Sequence, residues 1–423
     1  MKTNPKFPLS RREFMRLSMA GVLSAASVPW FESIASAAVQ RPRGKACILL
    51  WMDGGPSQQH TFDPKPGGEF KSIATAVPGI HIVEQLPKLA RCMGDLAIIR
   101  SMSTEIKDHY DAKYHLHTGY QRVTGFEHPA LGCIASSQIG LPNDDLPPFV
   151  TIDAGSDKVN GGRFYRSVPA YLGPEHAPLA VQNPAQGLEN LRHPSDGLAE
   201  RLALLERGEA EFAKQKPLPP VAAKQAAVQR AIRLMRSPRA RAFNLDEEPD
   251  ALRDAYGRHR FGESCLLARR LVESGVSFVE VFHRGWDDHE GAAGRILART
   301  PWLDAGMSML IRDLKMRGML DDTLVIWMGE FGRSPGDGND HYCKAWSTVW
   351  AGGGINTGLV VGKTNEGGKT PGAEVEERAV SVPDYLATIC TVLGINPRQE
   401  VMAGQRPMTL VDKRAKIIKE LIA

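Results

Sequence analysis

Short, uninterrupted apolar runs recur along the chain, and each ends in glycine or a charged residue. Residues 45–52 (KACILLWM), 96–100, 149–152, 276–282 and 324–328 are runs of this kind. Their length and lack of alternation predict strands buried on both faces, as in a parallel sheet. Residues 347–351 form a further apolar segment, closed by three glycines. Helix-like apolar periodicity fills much of the rest: 84–93, 130–139, 200–214, 221–235, 250–256, 261–275, 300–320 and 382–393. Asp108 and Gly119 suit the N-cap and C-cap of one more helix, which would carry His109, Lys113 and His117 on a single face. Strand followed by helix, repeated, predicts an α/β fold: a doubly wound, mostly parallel sheet with helices on both faces. Residues 38–423 are expected to form one domain, with 128–260, rich in Gly, Pro and charge, as an elaborated insertion or lid region.

The polar residues that matter sit just past the apolar runs. Asp53 ends the first and is followed by Gly54-Gly55. The run at 276–282 leads into His283-Arg284-Gly285-Trp286-Asp287-Asp288-His289, and the run at 324–328 into Gly329-Glu330-Phe331-Gly332-Arg333, with His341 shortly after. Open α/β sheets place ligands at the carboxyl ends of their strands. Asp oxygens and His nitrogens together suit Zn²⁺ and related divalent ions. Glu330 and His341 are expected to help hold a metal, the Asp/His cluster at 283–289 to have a metal or catalytic role, and Asp53 to be either a metal or catalytic group or a turn aspartate bonding its own backbone. His109 stands at a helix N-terminus, where the dipole and free N–H groups attract anions.

Composition changes this picture little, and the N-terminus changes it more. The 423 residues carry a formal net charge of only +4. Five basic residues against two acidic ones in residues 1–37 account for most of it. The near-neutral remainder gives no reason to expect nucleic acid. Ser10-Arg11-Arg12-Glu13-Phe14-Met15, an apolar stretch at 17–31 and Ala35-Ser36-Ala37 stand in the order of a twin-arginine (Tat) signal peptide with its cleavage site. The expected partner at this stage is the Tat export machinery, and the expected location is periplasmic or secreted. No later stretch has the ~20 apolar residues of a membrane span. Six cysteines, widely spaced and without a C-x-x-C pair, are expected to be buried free thiols.

Several segments together resemble an exported bacterial family, the domain of unknown function 1501, within the alkaline phosphatase/sulfatase-like superfamily. They are WMDGGPSQQHTFDPKP (51–66), the block from Arg100 to Tyr120, FGESCLLARRLVESGVSFVEV (261–281), GWDDH (285–289), TLVIWMGEFGR (323–333), residues 340–354 and VPDYLATICTVLGI (382–395). The resemblance implies one or two divalent metals at the carboxyl edge of the sheet, with Asp53, Asp287, Asp288, His289, Glu330 and His341 as the expected ligands, His109 and Asp108 as the candidate catalytic groups, and Arg333 and Lys113 as the candidate anion clamps. The Asp and His donors put zinc first, with calcium, magnesium or manganese as alternatives. It also implies hydrolysis of phosphate or sulfate esters, the substrate being an anionic ester or a sulfated or phosphorylated glycan. Two positions depart from the superfamily pattern. Phe331 stands where a metal histidine is usual, and His109 stands near the place of the usual Cys or Ser nucleophile. The alternative is a non-catalytic exported protein of the same fold that binds a polysaccharide, a metal or a partner protein.

Overall fold

The longest apolar runs lie side by side in a nine-stranded sheet. In the computed structural model, residues 44–423 are described apart from 141–144, 155–164, 189–190, 192–196, 216–218 and 368. The expected export signal at 1–37 lies outside the described residues. In chain order the sheet strands are β1 (Ala46–Asp53), β2 (Leu96–Ser103), β3 (Phe149–Ile152), β4 (Leu179–Val181), β5 (Phe278–Arg284), β6 (Thr323–Met328), β7 (Trp346–Gly352), β8 (Leu359–Val361) and β9 (Val380–Ser381). Their spatial order is β8-β2-β7-β6-β1-β5-β3-β4, with β9 also pairing β2. All pairings are parallel except those of β7, which runs antiparallel to both β2 and β6. The sheet is thus mostly parallel, as the unbroken apolar runs imply. Nothing in the run at 347–351 discloses its reversed direction.

The helices are α1 (Pro87–Arg91), α2 (His109–Thr118), α3 (Leu131–Ile139), α4 (Leu198–Gln215), α5 (Pro219–Arg236), α6 (Asp250–Tyr256), α7 (Arg260–Glu273), α8 (Ala292–Met316) and α9 (Val382–Val392). Alternate residues of β1 enter opposite cores, because successive strand side chains point to opposite faces. Ile48, Leu50 and Met52 pack with Leu89 of α1, Leu266 and Leu271 of α7, and Met307 and Leu310 of α8. Cys47, Leu49 and Trp51 pack with Leu131 and Ile134 of α3 and with Tyr385, Leu386 and Ile389 of α9. Helices therefore cover both faces. All six cysteines are free and buried.

One expectation shifts: helix α8 begins at Ala292 rather than at 300, because Ala292, Ala293 and Ile296 are also buried against the core. The region 128–260 supplies β3, at the run expected to be a strand, and also β4, along one side of the sheet. Among the described residues, no helix is long and apolar enough to cross a membrane.

Register brings three strand tips together. Met52 and Asp53 of β1 pair with His283 and Arg284 of β5, and Trp51 pairs with Met328 of β6. The loops that follow these three strands therefore start at one edge of the sheet.

Candidate metal centre

Helix α2 closes over this edge, held at both ends by the residues its sequence suggests. Asp108 accepts a hydrogen bond from the backbone N–H of Asp111 (3.1 Å), and Gly119 ends the helix at φ 77°. The stripe His109, Lys113, His117 faces the strand tips. His109 meets Glu330 and Asp287, Lys113 meets Asp53 and Glu330, and His117 meets Glu280 inside β5.

Four side chains converge: His109, Asp287, His289 and His341 each offer one ligand atom, and all four atoms lie within 4.8 Å of one another. Asp287 Oδ1 is the hub. It stands 3.0 Å from His109 Nε2, 3.0 Å from His289 Nε2 and 3.5 Å from His341 Nε2. Tetrahedral zinc with bonds of about 2.0–2.1 Å separates its ligand atoms by about 3.3 Å, close to these spacings.

Neighbouring acceptors set which ring nitrogen faces the centre. His341 Nδ1 donates to the carbonyl of Lys107 (2.9 Å), and His109 Nδ1 donates to Glu330 Oε1 (2.8 Å). Each bond leaves the opposite Nε2 as the metal-facing atom. His341 Nε2 is buried and has no hydrogen-bond partner nearer than Asp287 Oδ1, which at 3.5 Å is too far for a good bond. A buried ring nitrogen without a partner is costly, and a metal would satisfy it. Three imidazoles and one carboxylate thus fit a divalent ion of the zinc class in number, chemistry and spacing.

Without metal, a proton takes that place. Burial opposes charge on His109, but hydrogen bonds to Asp287 and Glu330 outweigh it and raise the ring to about 9. Burial would push Asp287 up, yet contacts with His109, His341 and Arg333 hold its carboxyl far below the usual range. A metal held there would displace that proton.

The other expected residues surround this group. Glu330 is fully buried and backs His109; it also accepts from the N–H of Gly54 (3.0 and 3.2 Å) and lies 3.6 Å from Lys113 Nζ. Burial would raise its carboxyl, but the Lys113 charge and the His109 ring lower it on balance. Asp53 pairs with Lys113 Nζ at 2.5 Å, and its Oδ1 also accepts from Trp51 Nε1. Asp53 and Glu330 are therefore placed around Lys113 rather than in the four-residue group. Asp288, expected as a ligand, is buried in a two-fold ion pair with Arg299 (2.5 and 3.1 Å). Asp108, expected as a catalytic group, is exposed and engaged in capping α2.

Arg333, expected to clamp an anion, has no free donor. Its guanidinium reaches six acceptors, Gly55 O from Nε, Asp288 O and Asn339 O from Nη1, and Gly54 O, Trp286 O and Asp287 Oδ1 from Nη2, where one N–H is shared. It ties the three loops together from beneath. Phe331 is equally structural. Its ring packs against both His109 (4.9 Å) and His341 (4.7 Å), which also meet each other edge-to-face at 4.2 Å, and so forms an apolar wall of the site.

Two glycines permit this closeness. A Cβ on Gly54, at φ +123°, would fall 2.2 Å from the backbone nitrogen of Asp287, and one on Gly55 would fall 2.7 Å from the Phe331 ring. Sequence reasoning named every member of the convergent group, though it cast His109 in another role. It missed Arg299, the partner of Asp288, and the buried pair His117–Glu280 (2.6 Å), which anchors α2 to β5.

The model of a family described as "Protein of unknown function (DUF1501)" matches residues 44–422. The chain belongs to this family. No functionally curated protein matches the sequence. Among solved structures, the chain is similar to the sulfatase PsFucS1 from Pseudoalteromonas sp., at 14% identity and a TM-score of 0.37, over 87% of this chain and 72% of that one. It is also similar to the alkaline phosphatase of the Antarctic bacterium TAB5, at 13% identity and a TM-score of 0.38, over 84% and 100%. A third is the lipoteichoic acid synthase LtaP of Listeria monocytogenes, at 10% identity and a TM-score of 0.38, over 88% and 80%. Likeness at this distance says nothing of the reaction.

Proposed function

We propose that this DUF1501 protein is an exported, metal-dependent hydrolase of phosphate or sulfate esters, acting on anionic esters such as sulfated or phosphorylated glycans. The observation that carries the reading is the convergence of His109, Asp287, His289 and His341 around one point, with His341 Nε2 lacking any other partner. These four residues would hold the ion, zinc first by its three-nitrogen, one-oxygen donor set. A divalent ion held there supplies Lewis-acid charge to ester oxygens and acidifies water. Glu330 fixes the tautomer of His109. Lys113, fixed between Asp53 and Glu330, contributes a second positive charge beside the group. The N-terminal end of the α2 dipole favours the ester's negative charge. Asp53 and Glu330 act in this scheme by holding Lys113 and His109.

The test is metal content of the purified protein, followed by turnover of p-nitrophenyl phosphate and p-nitrophenyl sulfate with zinc, calcium, magnesium or manganese. We expect stoichiometric metal, turnover of at least one ester, and loss of both in Asp287→Ala. No bound metal, together with a melting temperature indifferent to chelator, would sink the reading. Bound metal without turnover would favour the non-catalytic alternative. Export is tested by fusing residues 1–37 to a folded reporter: Arg11→Lys with Arg12→Lys should retain the reporter in the cytoplasm.

A further inference from the structure

Asp53 and Glu330, two of the expected metal ligands, stand outside the convergent group, and both meet the same lysine. Lys113 Nζ lies 2.5 Å from Asp53 Oδ1 and 3.6 Å from Glu330 Oε1. The two carboxylates follow neighbouring strands, β1 and β6, whose register sets Trp51 beside Met328. Carboxylates brought this close repel each other unless a cation lies between them. Such an all-oxygen donor pair is what Mg²⁺ and Ca²⁺ take. Here the cation belongs to the chain itself.

The fold holds the lysine in this position. Lys113 lies four residues after His109, so its side chain shares the face of α2 turned to the strand tips. One turn later, His117 Nδ1 donates to the Lys113 carbonyl (2.7 Å), and His117 Nε2 meets Glu280 Oε1 (2.6 Å). Both of these side chains are buried, and Ser167 Oγ donates to the second oxygen of Glu280 (3.0 Å). The turn that carries Lys113 is thereby pinned to β5. The carboxylates are held as well: Trp51 Nε1 donates to Asp53 Oδ1 (3.3 Å), and the Gly54 N–H to Glu330. Burial does not close this position to ions, since the side chains of Lys113 and Asp53 keep 19% and 22% of their exposure. The ammonium closes it.

We propose that Lys113 fills an oxygen-donor cation site formed by Asp53 and Glu330, so that the protein holds one ion of the zinc class and excludes a second, harder one such as Mg²⁺ or Ca²⁺. The proposal rests on the metal-centre reading for the first ion and adds to it the number of ions and the residue that sets that number. An ammonium and a divalent ion cannot share the position, because like charges at contact repel. One zinc-class ion with Lys113 and Arg333 already outweighs the charge of Asp53, Asp287 and Glu330, so an anionic ester meets a positive centre without a second metal.

The test counts metals. Wild type, Lys113→Ala, and Lys113→Ala combined with Asp53→Asn are dialysed against zinc together with magnesium or calcium. Bound metals are read by elemental analysis, and melting temperature by circular dichroism. The wild type should hold zinc alone, with a melting temperature indifferent to millimolar magnesium or calcium. Lys113→Ala should keep its zinc, gain one magnesium or calcium per chain, and melt several degrees higher when that ion is added. The double variant should lose this gain. Should Lys113→Ala not fold, Lys113→Gln keeps most of the bulk without the charge and should show the same response to the added ion. A second ion bound by the wild type overturns the proposal, and so does a folded Lys113 variant that gains none. A gain of magnesium or calcium in protein that binds no zinc supports the assignment of Lys113 and counts only against the hydrolase.

Discussion

Replacing Glu330 by Gln should weaken zinc binding by about 10–100-fold, because Glu330 acts on the centre only through His109. The carboxylate serves three donors at once: His109 Nδ1, the Gly54 N–H and the Lys113 ammonium. Gln keeps the shape but offers a single oxygen. With that oxygen on His109, the new amide N–H groups face the Gly54 N–H, donor against donor. With the amide reversed, His109 Nδ1 must become an acceptor, and its proton moves to Nε2, the atom that faces the metal. Either arrangement costs about 1.4–2.7 kcal/mol of metal affinity, the equivalent of that fold-change. The assay is competition for zinc against a chromophoric chelator at neutral pH, with circular dichroism to verify folding. Affinity equal to the wild type would refute the supporting role. A loss as complete as that of Asp287→Ala would make Glu330 a direct ligand instead.

Other expectations follow from the same geometry. Asp53→Asn should retain its metal, since Asp53 bonds Lys113 and lies outside the convergent group; elemental analysis showing an empty variant would contradict this. Gly54→Ala should destabilise the protein by several kcal/mol, roughly the scale of an overpacked and strained buried position, as read by urea unfolding, because its Cβ collides with the Asp287 backbone. Arg269→Met should cost about 3–5 kcal/mol in the same assay, since the fully buried Asp313 and the buried Glu248 lose the guanidinium between them. Burial, helped by Arg406, lowers the His128 ring to about 4. The unfolded chain binds that proton near pH 6.5, so the contribution of neutral His128 is complete above that pH and is lost as pH falls to about 4. It amounts to at most about 3 kcal/mol. His128→Gln should flatten the fall in stability across this window in chelator-treated protein; an unchanged slope would refute the assignment.

Much of the sheet was legible because its central strands are buried on both faces. A run such as 324–328 admits little but a core strand, and caps as specific as Asp108 and Gly119 fixed α2 to the residue. The reversed direction of β7 was not legible, since burial on two faces leaves the same apolar pattern whichever way the strand runs. Nor was the start of α8, where small alanines carry the burial.

At the site, sequence determined which residue types lie at the strand ends, and hence that Asp53, Asp287, Glu330 and the histidines would gather at one edge. Only the tertiary structure decided their roles, because a role depends on distances between segments far apart in the chain. Arg299 lies eleven residues after Asp288, but only the packing of α8 brings it onto that carboxylate. Glu330 and His341 follow the same strand, yet one stands behind His109 and the other beside it. Phe331, which reads from the sequence as a missing ligand, becomes an apolar wall against which the His109 and His341 rings pack.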